Sequence, residues 1–161
     1  MAKIIGINHL GFAVKNLDEG IRSAEENLGG EVIIKFESTK QKYKGALIQL
    51  GNSIISLIEA TDENSFMAKF IEKRGEGIQH IGVEVDNIEE FVKQLESKGI
   101  RVDKGHMKDE NFQEALVGPR TGYGVVLQLM QWKGGPMDVS PEGLERLKQK
   151  YREVPGERLI E

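Results

Sequence analysis

The phrase GINHLGFAVKNLDE at 6–19 returns as GIQHIGVEVDNIEE at 77–90. A chain that writes one strand-and-helix pattern twice must build the same supersecondary unit twice. At an offset of 71 the copies match at Gly6/Gly77, Ile7/Ile78, His9/His80, Leu10/Ile81, Gly11/Gly82, Val14/Val85, Asn16/Asn87 and Glu19/Glu90. Two copies with so long a period point to paired half-domains instead of a stacked repeat array. Each copy opens with an alternating strand, 4–14 and 78–85, in which residues two apart share a face. His9 therefore lies with Ile7 and Gly11, and His80 with Ile78 and Gly82. Asn16 and Asn87 then stand at helix N-cap positions with acidic residues in the first turn, and the helices run to 28 and 98, beside terminating glycines.

Three further strands follow each helix: 31–37, 46–51 and 53–60 in the first copy, and 100–104, 114–118 and 124–132 in the second. The order is β-α-β-β-β, twice. Ser56 and Gln128 occupy equivalent places on the last strands, at an offset of 72. Four segments are expected: a first module at 1–60, a linker helix at 61–76 with Met67, Phe70 and Ile71 as its apolar stripe, a second module at 77–132, and an arm at 133–161. The arm has no counterpart in the first copy. It carries a helix over 141–152 with Ser140 as cap and Pro141 at its first position.

Composition narrows the function. The 161 residues are 39% hydrophobic and 30% charged, an ordinary globular mix, and the net charge of −4 offers no basic surface for nucleic acid. Without cysteine there is no disulfide, thiolate site or thiol nucleophile. The chain enters its first strand at once, with no secretory apolar stretch and no run near the roughly 18 residues of a membrane span. A cytoplasmic protein without membrane or nucleic-acid partners is expected.

A duplicated βαβββ module with a histidine in the first strand of each copy resembles the vicinal oxygen chelate superfamily, which includes glyoxalase I, methylmalonyl-CoA epimerases, extradiol dioxygenases and the fosfomycin and bleomycin resistance proteins. INHLGFAVKNLDE, AKFIEKRGEGIQHIGVEVDNIEE and ESKGIRV are most similar to the methylmalonyl-CoA epimerase branch. The resemblance covers 4–132 and implies an α+β fold, two tandem βαβββ modules whose curved sheets form a cup, here with a C-terminal helical arm. It also implies a divalent metal, Co, Ni, Zn, Mn or Fe, held by one residue from the first and one from the last strand of each half. Those positions carry His9, Ser56, His80 and Gln128.

The chain departs from the family at two of these corners. Gln or Glu is usual where Ser56 stands, and a Glu that both ligates and transfers a proton where Gln128 stands. Near Ala46 a second expected carboxylate is missing. A donor set of two imidazoles, an amide and a hydroxyl leaves the metal charge uncompensated and lowers its affinity. Epimerisation next to a thioester needs groups that accept and return a proton, so the base must come from elsewhere: Glu84, on the His80 face, or Glu114, at the start of a second-half strand. The alternative for Glu84 is that it only caps a neighbouring backbone group or pairs with a lysine. His106, expected in a lid-like loop, and Arg120, in the following turn, are candidate contacts to the substrate.

The function implied is a metal-dependent isomerase of the epimerase type acting on an acyl-CoA, a methylmalonyl-CoA-like thioester or a related oxoacid. The alternatives are a metal-free cup that binds a small molecule as resistance proteins do, a glyoxalase I-like lyase, or an extradiol-type dioxygenase, the last disfavoured by Gln128 in its carboxylate position. The edge strands and the arm predict a homodimer.

Overall fold

The computed structural model describes all residues, Met1–Glu161. In chain order the elements are β1 (Ile4–Ala13), α1 (Leu17–Leu28), β2 (Glu31–Ser38), β3 (Tyr43–Leu50), β4 (Ser53–Ala60), α2 (Phe66–Arg74), β5 (Gly77–Val85), α3 (Ile88–Ser97), β6 (Val102–His106), β7 (Phe112–Val117), β8 (Val126–Trp132), α4 (Pro141–Glu153) and β9 (Glu157–Ile160). The β-α-β-β-β order expected from the repeat is present in both copies. No helix is long and apolar enough to cross a membrane.

Contacts divide the chain into two compact units, each made of two separate stretches of the sequence. One comprises Met1–His9 with His80–Met137, the other Leu10–Gln79 with Asp138–Glu161. In the first unit the strands follow the order β6-β7-β8-β5, then the opening residues of β1. β7 runs antiparallel to β6 and β8, while β5 and β8 are parallel with Gly82 opposite Gln128. Helix α3 buries Ile88 and Val92 against Val83, Val85, Ala115, Val117 and Leu129, each such side chain stabilising the fold by about 1.5–3 kcal/mol. Because alternate residues take opposite faces, His80, Gly82, Glu84, Glu114 and Gln128 project on the face away from α3. The helix is aimed at its start: Asn87 accepts a hydrogen bond from Glu90 N at 3.0 Å, and Gln131 Oε1 accepts from Ile88 N at 2.7 Å.

The second unit repeats this plan with the end of β1 followed by β4-β3-β2-β9. Leu17, Ile21 and Ala24 of α1 pack on Ala46, Ile48 and Leu57, and Met67 of α2 packs with Ala13 and Ile58. Its α1 is held as α3 is, by Asn16 and by the Glu59 carboxylate, which accepts from Leu17 N at 2.7 Å. The arm docks on its own chain. Tyr151 of α4 stacks on Phe36 with ring centroids 4.5 Å apart, and β9 adds an antiparallel edge to β2, Phe36 opposite Leu159. β9 is not among the expected elements, because its four residues become a strand only by pairing with β2.

Several strand bounds differ from the expected ones by one to three residues, and the start of β3 and the end of β6 have a visible cause in the pairing. β3 begins at Tyr43, not 46, because Tyr43 and Gly45 find partners on both sides, Ser38 and Phe36 on β2 and Ala60 and Ile58 on β4. His106 is not in a loop. It is the last residue of β6, in register with Glu114, after a bulge between Asp103 and His106.

Candidate functional site

The first unit brings His9 and His80 together. Their Nε2 atoms stand 3.1 Å apart with the rings edge to face. The close approach depends on Gly82: a Cβ there would lie 2.4 Å from His9 Cε1 and Nδ1, so the missing side chain is the space the imidazole occupies.

What turns the His9 ring is Asn8. Its Oδ1 accepts from His9 Nδ1 at 2.7 Å while its Nδ2 donates to Glu84 Oε1 at 3.1 Å. A carboxylate only accepts, so the amide cannot reverse, and an amide oxygen in front of Nδ1 requires the proton there. His9 Nε2 is left with its lone pair facing His80. This is the outer arrangement by which a ligating histidine is commonly oriented. Glu84, 5% exposed, also accepts from Met137 N at 2.8 Å. Its geometry is that of a buried anchor for Asn8 and for the root of the arm. Sequence reasoning passed over Asn8, although both histidines follow an amide residue, Asn8 and Gln79.

Gln128 and Glu114 form a second pair. Gln128 Nε2 donates to Glu114 Oε2 at 2.5 Å, and Gln128 Oε1 is buried with no hydrogen-bond partner. An orphaned buried acceptor costs about 1–3 kcal/mol, and a cation would relieve it. Gly105, in the β6 bulge, makes room for the Glu114 carboxylate, since a Cβ there would be 3.3 Å from Oε1. His106 is half-buried at the adjoining register position, and Arg120 is exposed in the β7–β8 connection. Ser56 belongs to the other unit, buried on β4 opposite Leu47.

The residues present fit a divalent metal in kind. With metal–nitrogen bonds of about 2.0–2.1 Å, two imidazole nitrogens at the observed spacing would subtend about 95–100°, between octahedral and tetrahedral values. Imidazole and amide oxygen donors suit the borderline cations from Fe to Zn. His9, His80 and Gln128 are the residues of this unit that would hold it.

The sequence model of the Glyoxalase/Bleomycin resistance protein/Dioxygenase superfamily matches residues 8–116. Among curated proteins, the chain is 29% identical to the YqjC protein of Bacillus subtilis over 131 residues, 80% of this chain and 93% of that one. It is 30% identical to human mitochondrial methylmalonyl-CoA epimerase over 96 residues, 59% of this chain and 54% of the human protein. Among solved structures, methylmalonyl-CoA epimerase from Mycobacterium tuberculosis superposes with a TM-score of 0.71 at 28% identity, covering 83% of this chain and 90% of that one.

Proposed function

The chain belongs to the Glyoxalase/Bleomycin resistance protein/Dioxygenase superfamily, and we propose that it is a metal-dependent epimerase-type isomerase whose substrate is an acyl-CoA thioester of the methylmalonyl-CoA kind. The observation that carries this reading is the convergence of His9 Nε2 and His80 Nε2 to 3.1 Å beside a chain of hydrogen bonds that fixes the His9 tautomer. The epimerase relatives supply the substrate class.

A divalent cation bound there would polarise the thioester carbonyl and stabilise negative charge on its oxygen. His9 and His80 would hold the cation, and Gln128 would complete the set through Oε1. Proton transfer at the carbon next to the carbonyl falls to Glu114. It is half-buried, and only its Oε2 is engaged by Gln128. Glu84 is the poorer candidate, because it is buried and its Oε1 already accepts from both Asn8 and Met137 N. His106 and Arg120, at the β6 end and the β7–β8 connection, are the proposed contacts to the polar part of the substrate.

A metal-free small-molecule binder is the second reading, favoured by the lack of any carboxylate among His9, His80 and Gln128. One experiment separates the two. Cobalt-loaded protein incubated with methylmalonyl-CoA in heavy water is expected to place deuterium at C2, and Glu114→Gln to slow the exchange by about 10²–10⁴-fold. Exchange no faster than in a protein-free control would remove the epimerase reading.

A further inference from the structure

We propose that Gln128 and Glu114 act as one divided ligand: Gln128 Oε1 is the metal's donor atom, and Glu114, from outside the inner shell, fixes the amide and supplies the negative charge that the inner shell lacks. This rests on the metal-site reading above and assigns Glu114 a positioning role that the proton-transfer role does not require.

A glutamine amide can turn either end toward a cation, and only the oxygen end binds one. The Glu114 carboxylate accepts and cannot donate, so the 2.5 Å contact from Gln128 Nε2 permits a single orientation. Oε1 must then point away from Glu114, where it is buried and meets no donor. Buried amide oxygens normally find one. The register says what lies on the other side. Gln128 is the direct β5–β8 neighbour of Gly82, and the space a Gly82 side chain would fill is taken by the His9 ring, 3.1 Å from Nε2. The unsatisfied oxygen and the two facing imidazoles thus share one face of one unit.

Charge supports the same division. His9, His80 and Gln128 are neutral donors, so a divalent cation among them keeps its full charge. A hydrogen bond to an ionised acceptor is stronger than one between neutral groups. The Gln128–Glu114 contact places a carboxylate next to the inner-shell amide, where it can polarise the amide toward its oxygen. The arrangement at His9, where Glu84 acts through Asn8, is the same device applied to the other strand.

The test is a cobalt(II) titration followed by its visible absorption, with thermal melting to verify that each variant is folded. Glu114→Gln, which is isosteric, frees the amide to reverse and is expected to weaken cobalt binding by about 10–100-fold and to alter the absorption envelope. The swap Glu114→Gln with Gln128→Glu keeps the hydrogen bond, reverses its polarity and puts the carboxylate on the metal; it is expected to bind cobalt more tightly than the wild type. Glu114→Gln binding cobalt as the wild type does, or the swap binding no better than the single variant, would overturn the proposal. Wild-type protein that takes up no cobalt overturns it together with the metal-site reading. Cobalt responses as expected without deuterium exchange at methylmalonyl-CoA support the divided ligand and remove only the epimerase reading.

Discussion

At Gly82 a hydrogen atom stands where any other residue would drive a Cβ to 2.4 Å from the His9 ring. That ring cannot swing aside cheaply, because Asn8 holds its Nδ1–H and Glu84 holds Asn8. Gly82→Ala is therefore expected to cost cobalt binding at least about tenfold, comparable to the loss of an outer-shell partner, while the α3-side core remains intact. An affinity equal to the wild type's would mean that the His9 position is not the metal's. The two histidines were legible in the sequence because they are repeated. Asn8 and the Gln128–Glu114 pair were not, since an amide says nothing about which of its ends is occupied until its neighbours are known.

Among the elements, the two helices that begin after the repeated strands are held in the same way. Each has an asparagine cap and, from the last strand of its own module, an acceptor on the first helical amide: Glu59 for Leu17 and Gln131 for Ile88. The cap was readable from the order Asn, apolar, acid. The strand-borne acceptor was not, because it needs the strand to lie beside the helix start. Asn87→Ala is expected to lower stability by about 1 kcal/mol, read as a reduced urea midpoint at unchanged slope; a slope that changes with the midpoint would point instead to a loss of two-state unfolding. β9 belongs to the same scale. Its pairing with β2 and the Tyr151–Phe36 stack cover an edge and an apolar ring that the first module would otherwise expose.

For the whole molecule, a ligand that binds only the folded chain stabilises it by mass action. Cobalt at about a hundredfold over its dissociation constant should add about 2.7 kcal/mol, visible as a raised Tm that a chelator abolishes. The increment should fall in Gly82→Ala, to about 1.4 kcal/mol for a tenfold loss of affinity. A melting temperature indifferent to cobalt and chelator in the wild type would count against a metal site and for the small-molecule binder.

The sequence by itself determined the duplicated βαβββ plan, the position of a histidine in the first strand of each copy, and the equivalent places of Ser56 and Gln128 on the last strands, because strand period, capping and repetition are local and are written residue by residue. The tertiary structure alone decided that the arm folds onto β2, that His106 ends a strand opposite Glu114, that Glu84 anchors Asn8, and that Gln128 turns its nitrogen to Glu114 and its oxygen into the buried face. Each of these depends on which strands become neighbours and in what register, and a one-residue slip in register would have sent the same side chains to the opposite face.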